Sequence, residues 1–305
     1  MENGMVIEEG KTKAFLALWG AVLLWASSFI VLKIAFQRFD PMVVIFGRMF
    51  VASLGFMLVF RRLRHIDYQP GDWKLLAFMG VCEPGLYFIF EALALTYTDA
   101  SQAGMICALL PLMVAVAARL VLGEPLSKRM ASGFGLAIVG AVLLSAVAEK
   151  TDTASNPVLG NFLEFLAMIC ACGYMIAMKK LMPRYNSWFL TMIQAFIGAV
   201  FYFPLLFLPS TKMPVAFDFT GVASILYLGT FVTIMAYGLY NYGMSKIPTA
   251  QASAFINLIP VITLIMGMVL LGERLNWMQY AASVIVIGGV YVSQDNKSRR
   301  VAAAA

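Results

Sequence analysis

Along the chain, apolar runs of about twenty residues alternate with short interruptions that carry charge, Pro or Gly. The runs lie near 14–36, 42–60, 73–96, 101–122 and 130–148, and then near 159–181, 187–209, 221–245, 249–271 and 276–293. A helix needs about 20 mostly apolar residues to cross the hydrocarbon core of a bilayer, so each run predicts one transmembrane helix. Lipid offers no hydrogen-bond partners, and a spanning segment must satisfy its backbone internally. The pattern predicts an all-α integral membrane protein of ten transmembrane helices.

Composition agrees with that reading. Hydrophobic residues make up 61% of the chain and charged residues 12%, whereas soluble domains run near half apolar and about a quarter charged. The connections between runs are too short for a separate soluble domain. The net charge of +6 comes from basic clusters between apolar runs rather than from one polar face, so it speaks for membrane topology and against a nucleic-acid partner. With a cytoplasmic amino terminus, fifteen of the 22 Lys and Arg residues fall on the inner side, among them Arg61, Arg62, Lys128, Arg129, Lys179 and Lys180. Four fall outside (Arg38, Lys150, Lys212, Arg274), and Lys33, Arg48 and Arg119 lie within runs. This imbalance predicts an even number of spans with both termini, residues 1–13 and 294–305, in the cytoplasm. The first run begins at Ala14 and is longer than a signal-peptide core, without a small-residue cleavage site, so it is expected to stay attached. Cys82, Cys107, Cys170 and Cys172 have no metal-ligand spacing and read as reduced packing residues.

The chain also repeats itself. Gln102–Leu126 (QAGMICALLPLMVAVAARLVLGEPL) aligns without a gap on Gln251–Leu275 (QASAFINLIPVITLIMGMVLLGERL) at a shift of 149, with eight of 25 positions identical. The identities include Gln102 with Gln251, Pro111 with Pro260 and Leu122-Gly123-Glu124 with Leu271-Gly272-Glu273. The shift carries five runs. Since five is odd, the second copy enters the membrane from the opposite face. Residues 14–148 and 159–293 are therefore expected to be two inverted five-helix repeats, an architecture that lets a carrier open a central site to either side in turn.

These residues resemble the drug/metabolite transporter superfamily, in its ten-helix EamA-type branch of exporters. LLWASSFIVLK in the first run, FEALALTYTDASQAG between the third and fourth, and LLP with LGE eleven residues on carry the likeness. YNYGMSKIPTAQAS and the second LIP with LGE repeat it in the other half. The resemblance covers residues 14–293 and is strongest toward exporters of aromatic and neutral amino acids. It implies a central cavity lined mainly by the first, third, fourth, sixth, eighth and ninth spans, with the other four outside it. It also implies a bacterial plasma-membrane location. Lys33 matches a family position, whereas Glu91 stands where many relatives carry a small or neutral residue.

Ionisable groups inside spans are costly and mark function by default. Glu83 lies near the midplane of the third span, before Pro84, which removes a backbone donor and predicts a kink. Glu83, Tyr87, Phe90 and Glu91 share a face at helical spacing. That face suits an ammonium group or an aromatic ring. Glu83 either serves a ligand or a proton, or merely fastens helices. Glu91, nearer the outer boundary, reads as a solvated carboxylate at the cavity mouth. In the ninth span, Ser253, Asn257 and Pro260 form a face whose repeat partners are Gly104, Ala108 and Pro111. Asn257 is either a substrate contact or an interhelical hydrogen-bonding group. Trp25 and Ser28 in the first span, Tyr174 in the sixth and Tyr237, Tyr240 and Asn241 in the eighth complete an aromatic wall, with ordinary packing as the alternative for each ring. Arg48, Arg119 and Lys33 lie within snorkelling reach of span ends and read as positioning or gating groups. Glu124 and Glu273 read as caps or loop ion pairs, and Pro111 and Pro260 as helix scaffold.

The function expected is secondary export of small metabolites, aromatic and neutral amino acids first, by alternating access. The alternative is a proton-coupled exporter of lipophilic cationic drugs. Phosphorylated substrates need several deep basic groups, and the cations lie near span ends. The expected partners are the small-molecule substrate, the bilayer and protons, with a monomeric chain and no cofactor or metal. A channel lacks support from any filter loop or charge ring. An enzyme lacks a nucleophile with its base, and the only His, His65, falls between spans.

Overall fold

The computed structural model describes residues 2–63, 67–123, 127–246 and 255–293. Among the described residues, eight helices are long and apolar enough to cross a bilayer: α1 (Thr12–Phe36), α2 (Pro41–Val59), α3 (Asp72–Tyr97), α4 (Ala100–Val121), α5 (Lys128–Ala146), α6 (Pro157–Leu181), α7 (Trp188–Phe207) and α8 (Phe219–Tyr240). Two shorter apolar helices follow, α9 (Ile259–Leu271) and α10 (Trp277–Ser293). At 1.5 Å per residue α10 rises about 25 Å. Among the described residues there is no strand. The start of the ninth run, with Gln251 and Ser253, lies outside the described residues, as do Glu124 and His65.

The helices meet as pairs. α5 lies on α10, α2 on α7, α4 on α9, α3 on α6 and α1 on α8, while α9 also packs on α1 and α4 on α6. Replacing each helix by the one five places away maps this set of pairs onto itself. The three pairs that map onto themselves run antiparallel. In α2 and α7, Phe46 meets Phe203 at 5.9 Å between ring centroids, while Phe56 meets Trp188 at 6.4 Å. In α5 and α10, Gly133 sits beside Gly289 and Ser293, and Gly140 beside Val286 and Ala282. In α4 and α9, Gly104 faces Thr263 and Ser101 faces Gly267.

The α5–α10 contact is made by small residues. A Cβ added to Gly133 would lie 2.6 Å from the Gly289 carbonyl oxygen, and one added to Gly289 would lie 2.5 Å from the Ala137 nitrogen. Bare backbone at these positions lets the two axes approach closely, the usual device where lipid supplies no hydrophobic drive between helices.

Local irregularities recur at the shift of 149. The helix of α3 breaks at Glu83 within Val81–Leu86, and that of α8 is irregular over Leu228–Ala236. α4 is interrupted by a turn at residues 108–109, and the chain turns again at 257–258 before α9. Pro111 and Pro260 sit in the first turn of the segments that restart there, where a missing N–H costs nothing. Gly123 and Gly272 both end their helices at positive φ, 72° and 69°, the left-handed cap that favours glycine.

Candidate functional site

The break in α3 builds the site. Glu83 has extended backbone angles, φ −146° and ψ 118°, inside an otherwise helical span, and Pro84 brings no N–H. The expected kink is present. The carbonyls it releases are taken by α7: Gln194 Nε2 donates to Glu83 O at 3.1 Å, and the Tyr202 hydroxyl faces Pro84 O at 3.0 Å and Gly85 O. Irregular backbone at membrane depth is tolerable only where protein groups satisfy it in this way. Reading the chain as apolar runs missed the role of α7.

Beside the break is a cavity of about 140 Å³. Its walls come from α1 (Trp25, Ser28, Phe29), α2 (Arg48), α3 (Glu83, Tyr87, Phe88, Glu91), α4 (Cys107, Leu110), α6 (Met168, Ala171, Tyr174, Met175), α8 (Val232, Tyr237), Ile256 and Ile259 of α9. A smaller void of about 20 Å³ shares Arg48, Glu83, Phe88 and Tyr237 with it and reaches Thr191, Gln194 and Thr233.

Both cavity carboxylates are tethered by a tyrosine. The Tyr237 hydroxyl donates to Glu83 Oε1 at 2.8 Å, and the Tyr87 hydroxyl to Glu91 Oε1 at 2.8 Å. Trp25 packs its edge against Tyr237 at 5.2 Å and lies 5.0 Å from Tyr240. The Ser28 hydroxyl is turned back onto Trp25 O at 2.7 Å. The result is an aromatic chamber with two acidic groups and one basic group in its walls.

Seven of the residues expected from the sequence line this chamber: Trp25, Ser28, Glu83, Tyr87, Glu91, Tyr174 and Tyr237. Three do not. Phe90 packs instead with Tyr87, Leu109 and Met168 in the apolar core, and Phe88 faces the cavity beside Tyr87 and Glu91. Tyr240 stands behind Trp25 in a cluster with Leu18 and Ala21. Asn257 lies at the turn that precedes α9; Ile256 and Ile259 face the cavity, and Asn257 Oδ1 is buried with no partner among the described residues.

Four placements correct the sequence reading. Glu91 is not solvated at a mouth: it is 4% exposed and bonded to Tyr87 one turn away. Arg48 does not snorkel to a span end. It is 4% exposed, lines both voids and lies with its Cζ 4.3 Å from the Phe88 ring centroid, so a helix expected to stay outside the cavity contributes to it. Lys33 does not snorkel either: it is buried and ties α1 to the α3–α4 junction, through Thr98 O and Asp99 Oδ1 at 3.4 Å, and to the α5–α6 connection, through Thr153 O at 2.9 Å. Glu273 does cap, but across the two halves: its carboxylate accepts from Ala100 N at 2.8 Å, Ser101 N at 2.9 Å and the Ser101 hydroxyl, at the start of α4.

One group was overlooked. Glu164 in α6 is fully buried, with Oε1 facing the Cys107 thiol at 3.3 Å and Oε2 without a partner among the described residues. A carboxylate inside the apolar run 159–181 was the available signal. Among the described residues no group of His, Cys, Asp and Glu could hold a metal ion.

The sequence pattern of the EamA-like transporter family matches residues 12–146 and again residues 158–293. An uncharacterized transporter of Archaeoglobus fulgidus is 28% identical over 93% of this chain and 97% of its own. A probable amino-acid metabolite efflux pump of Salmonella typhimurium is 28% identical over 92% of this chain and 93% of its own. A probable terminal-alkyne amino-acid exporter of Streptantibioticus cattleyicolor is 24% identical over 86% of each. A solved crystal structure that is 20% identical superposes with a TM-score of 0.62 over 95% of this chain and 99% of that one, which speaks for the fold alone.

Proposed function

Because the chain belongs to the EamA-like transporter family, we propose that it is a secondary exporter of neutral amino acids, aromatic ones foremost, that works by alternating access in a bacterial plasma membrane. The observation that carries this reading is the chamber of about 140 Å³ walled by Trp25, Tyr87, Tyr174 and Tyr237, with Glu83 and Glu91 facing it. Its size is below the roughly 300–1,000 Å³ of pockets for drug-sized ligands, which favours a compact metabolite over a bulky lipophilic cation. Two relatives named for amino-acid export point the same way.

Alternating access rests on the two halves, residues 14–148 and 159–293, being inverted copies that span the membrane ten times with both termini inside. The antiparallel pairing of α2 with α7, α4 with α9 and α5 with α10 supports it. So does the recurrence of left-handed glycine caps and of proline-started helical segments 149 residues apart. In such a carrier the chamber walls from the two halves exchange conformations and expose the site to one face and then the other. Glu83, at the break and held by Tyr237, is the group placed to carry a proton in the opposite direction to the substrate.

Purified protein in liposomes tests this. Radiolabelled phenylalanine flux should saturate, fall when Trp25 is changed to Ala, and respond to a pH gradient in the wild type but not in Glu83→Gln. Phenylalanine flux at background overturns the substrate assignment. Full gradient-driven flux in Glu83→Gln removes Glu83 from coupling.

A further inference from the structure

Arg48 is a buried guanidinium that the protein itself leaves underserved. Nε and Nη2 both donate to a single acceptor, Thr233 Oγ1, at 3.3 Å each, at the long end for an N–H···O bond. That hydroxyl spends its own proton on Leu228 O at 2.9 Å, so it offers Arg48 lone pairs but no charge. Among the described residues no carboxylate lies within ion-pair distance of Arg48. Its Cζ lies 4.3 Å from the Phe88 ring centroid, and Glu83 and Glu91 share the cavity with it and act on its charge from beyond ion-pair distance. A guanidinium has five N–H donors in a planar fork, and a charge that is 4% exposed costs several kcal/mol unless an anion meets it. The fork borders the aromatic chamber and the smaller void next to it.

We propose that Arg48 is the receptor for a carboxylate of the transported molecule, so that the substrate is a zwitterion held by its carboxylate on Arg48 and by its ammonium group on the acidic wall formed by Glu83 and Glu91. The assignment rests on the amino-acid reading above and narrows it. The chamber presents one cation and two carboxylates around aromatic faces, the charge layout that matches an α-amino acid with an aromatic or apolar side chain. Planar, bidentate recognition of a carboxylate is the task for which Arg is suited and Lys is not. An amine that lacks the carboxylate would enter with its own charge and leave Arg48 unpaired.

Calorimetric titration of detergent-purified wild-type protein with L-phenylalanine, L-phenylalaninamide and phenethylamine tests the assignment without any variant. Phenylalanine should bind about ten- to a hundredfold more tightly than either analogue, the effect of one or two charge-assisted hydrogen bonds. Arg48→Gln should lose that preference, and Arg48→Lys should keep only part of it, in samples that remain monodisperse and unfold cooperatively. Equal binding of phenylalanine and its amide to the wild type overturns the role of Arg48 and leaves the amino-acid reading standing. Retention of the wild-type preference in Arg48→Gln overturns that role equally. Binding of phenethylamine without phenylalanine, or of none of the three, overturns the amino-acid reading and this assignment with it.

Discussion

Changing Glu273 to Ala should be among the most damaging single substitutions outside the chamber. Its carboxylate, 6% exposed, receives the backbone N–H groups of Ala100 and Ser101 and the Ser101 hydroxyl, both residues fully buried. These amides open α4 and have no intrahelical acceptor, and the negative charge also meets the positive end of the helix dipole. A hydrogen bond to a charged group nets about 1.5–3 kcal/mol, and a buried donor left unpaired costs about 1–3 kcal/mol. Three such donors do not add in full, so Glu273→Ala is expected to cost about 3–5 kcal/mol, the range for breaking a buried charged contact. Glu273→Gln keeps one acceptor oxygen and turns an amide donor toward the other site, which places it near half that loss. Gly267 leaves room for the contact, since a Cβ there would run into Ser101 Oγ and Glu273 Oε2. The assay is reversible unfolding in mixed dodecylmaltoside and SDS micelles, followed by circular dichroism. A double-mutant cycle with Ser101→Ala should give a coupling of about 1 kcal/mol. A loss under about 1 kcal/mol for Glu273→Ala, or strict additivity with Ser101→Ala, would refute the cap.

Gly133→Leu, Gly140→Leu and Gly289→Leu should each force α5 and α10 apart and cost at least the roughly 1–3 kcal/mol of overpacking, because the atoms in the way are backbone; wild-type unfolding midpoints would show that the pair is looser than described. Glu164→Gln, which keeps the shape of a carboxyl that has no ion-pair partner among the described residues, should change the unfolding free energy by less than about 1 kcal/mol, and a loss above about 2 kcal/mol would show that its charge is in use.

Much of the architecture is legible in the chain. Nine of the ten apolar runs match a described helix to within a few residues, and the ninth matches at its end, Leu271, its start lying outside the described residues; the hydrocarbon core sets a length and a polarity that a spanning helix must meet. Pro84 announces its kink, since no proline can complete the helical ladder. The paired prolines and glycines 149 residues apart mark local conformations, a helix start and a left-handed cap, that depend on the residue type itself. For the same reason Glu83, Tyr87, Trp25 and Tyr237 could be named: depth in the membrane follows from position along a run.

What only the tertiary structure decided is direction around each helix axis and the identity of the neighbour met there. One residue turns a helix by about 100°, and at the cavity wall Phe88 stands where Phe90 was expected, and Ile256 and Ile259 where Asn257 was. Arg48 reads as a snorkelling cation until the path out of α2 is closed by α8 and the Phe88 ring. Glu273 reads as a cap or a loop ion pair, and that it caps α4 is seen only once α9 and α4 lie side by side. Hydropathy records how deep a residue sits, whereas the partner it meets is set by helix pairs that lie far apart in the chain, and on those pairs the chemistry of this chamber depends.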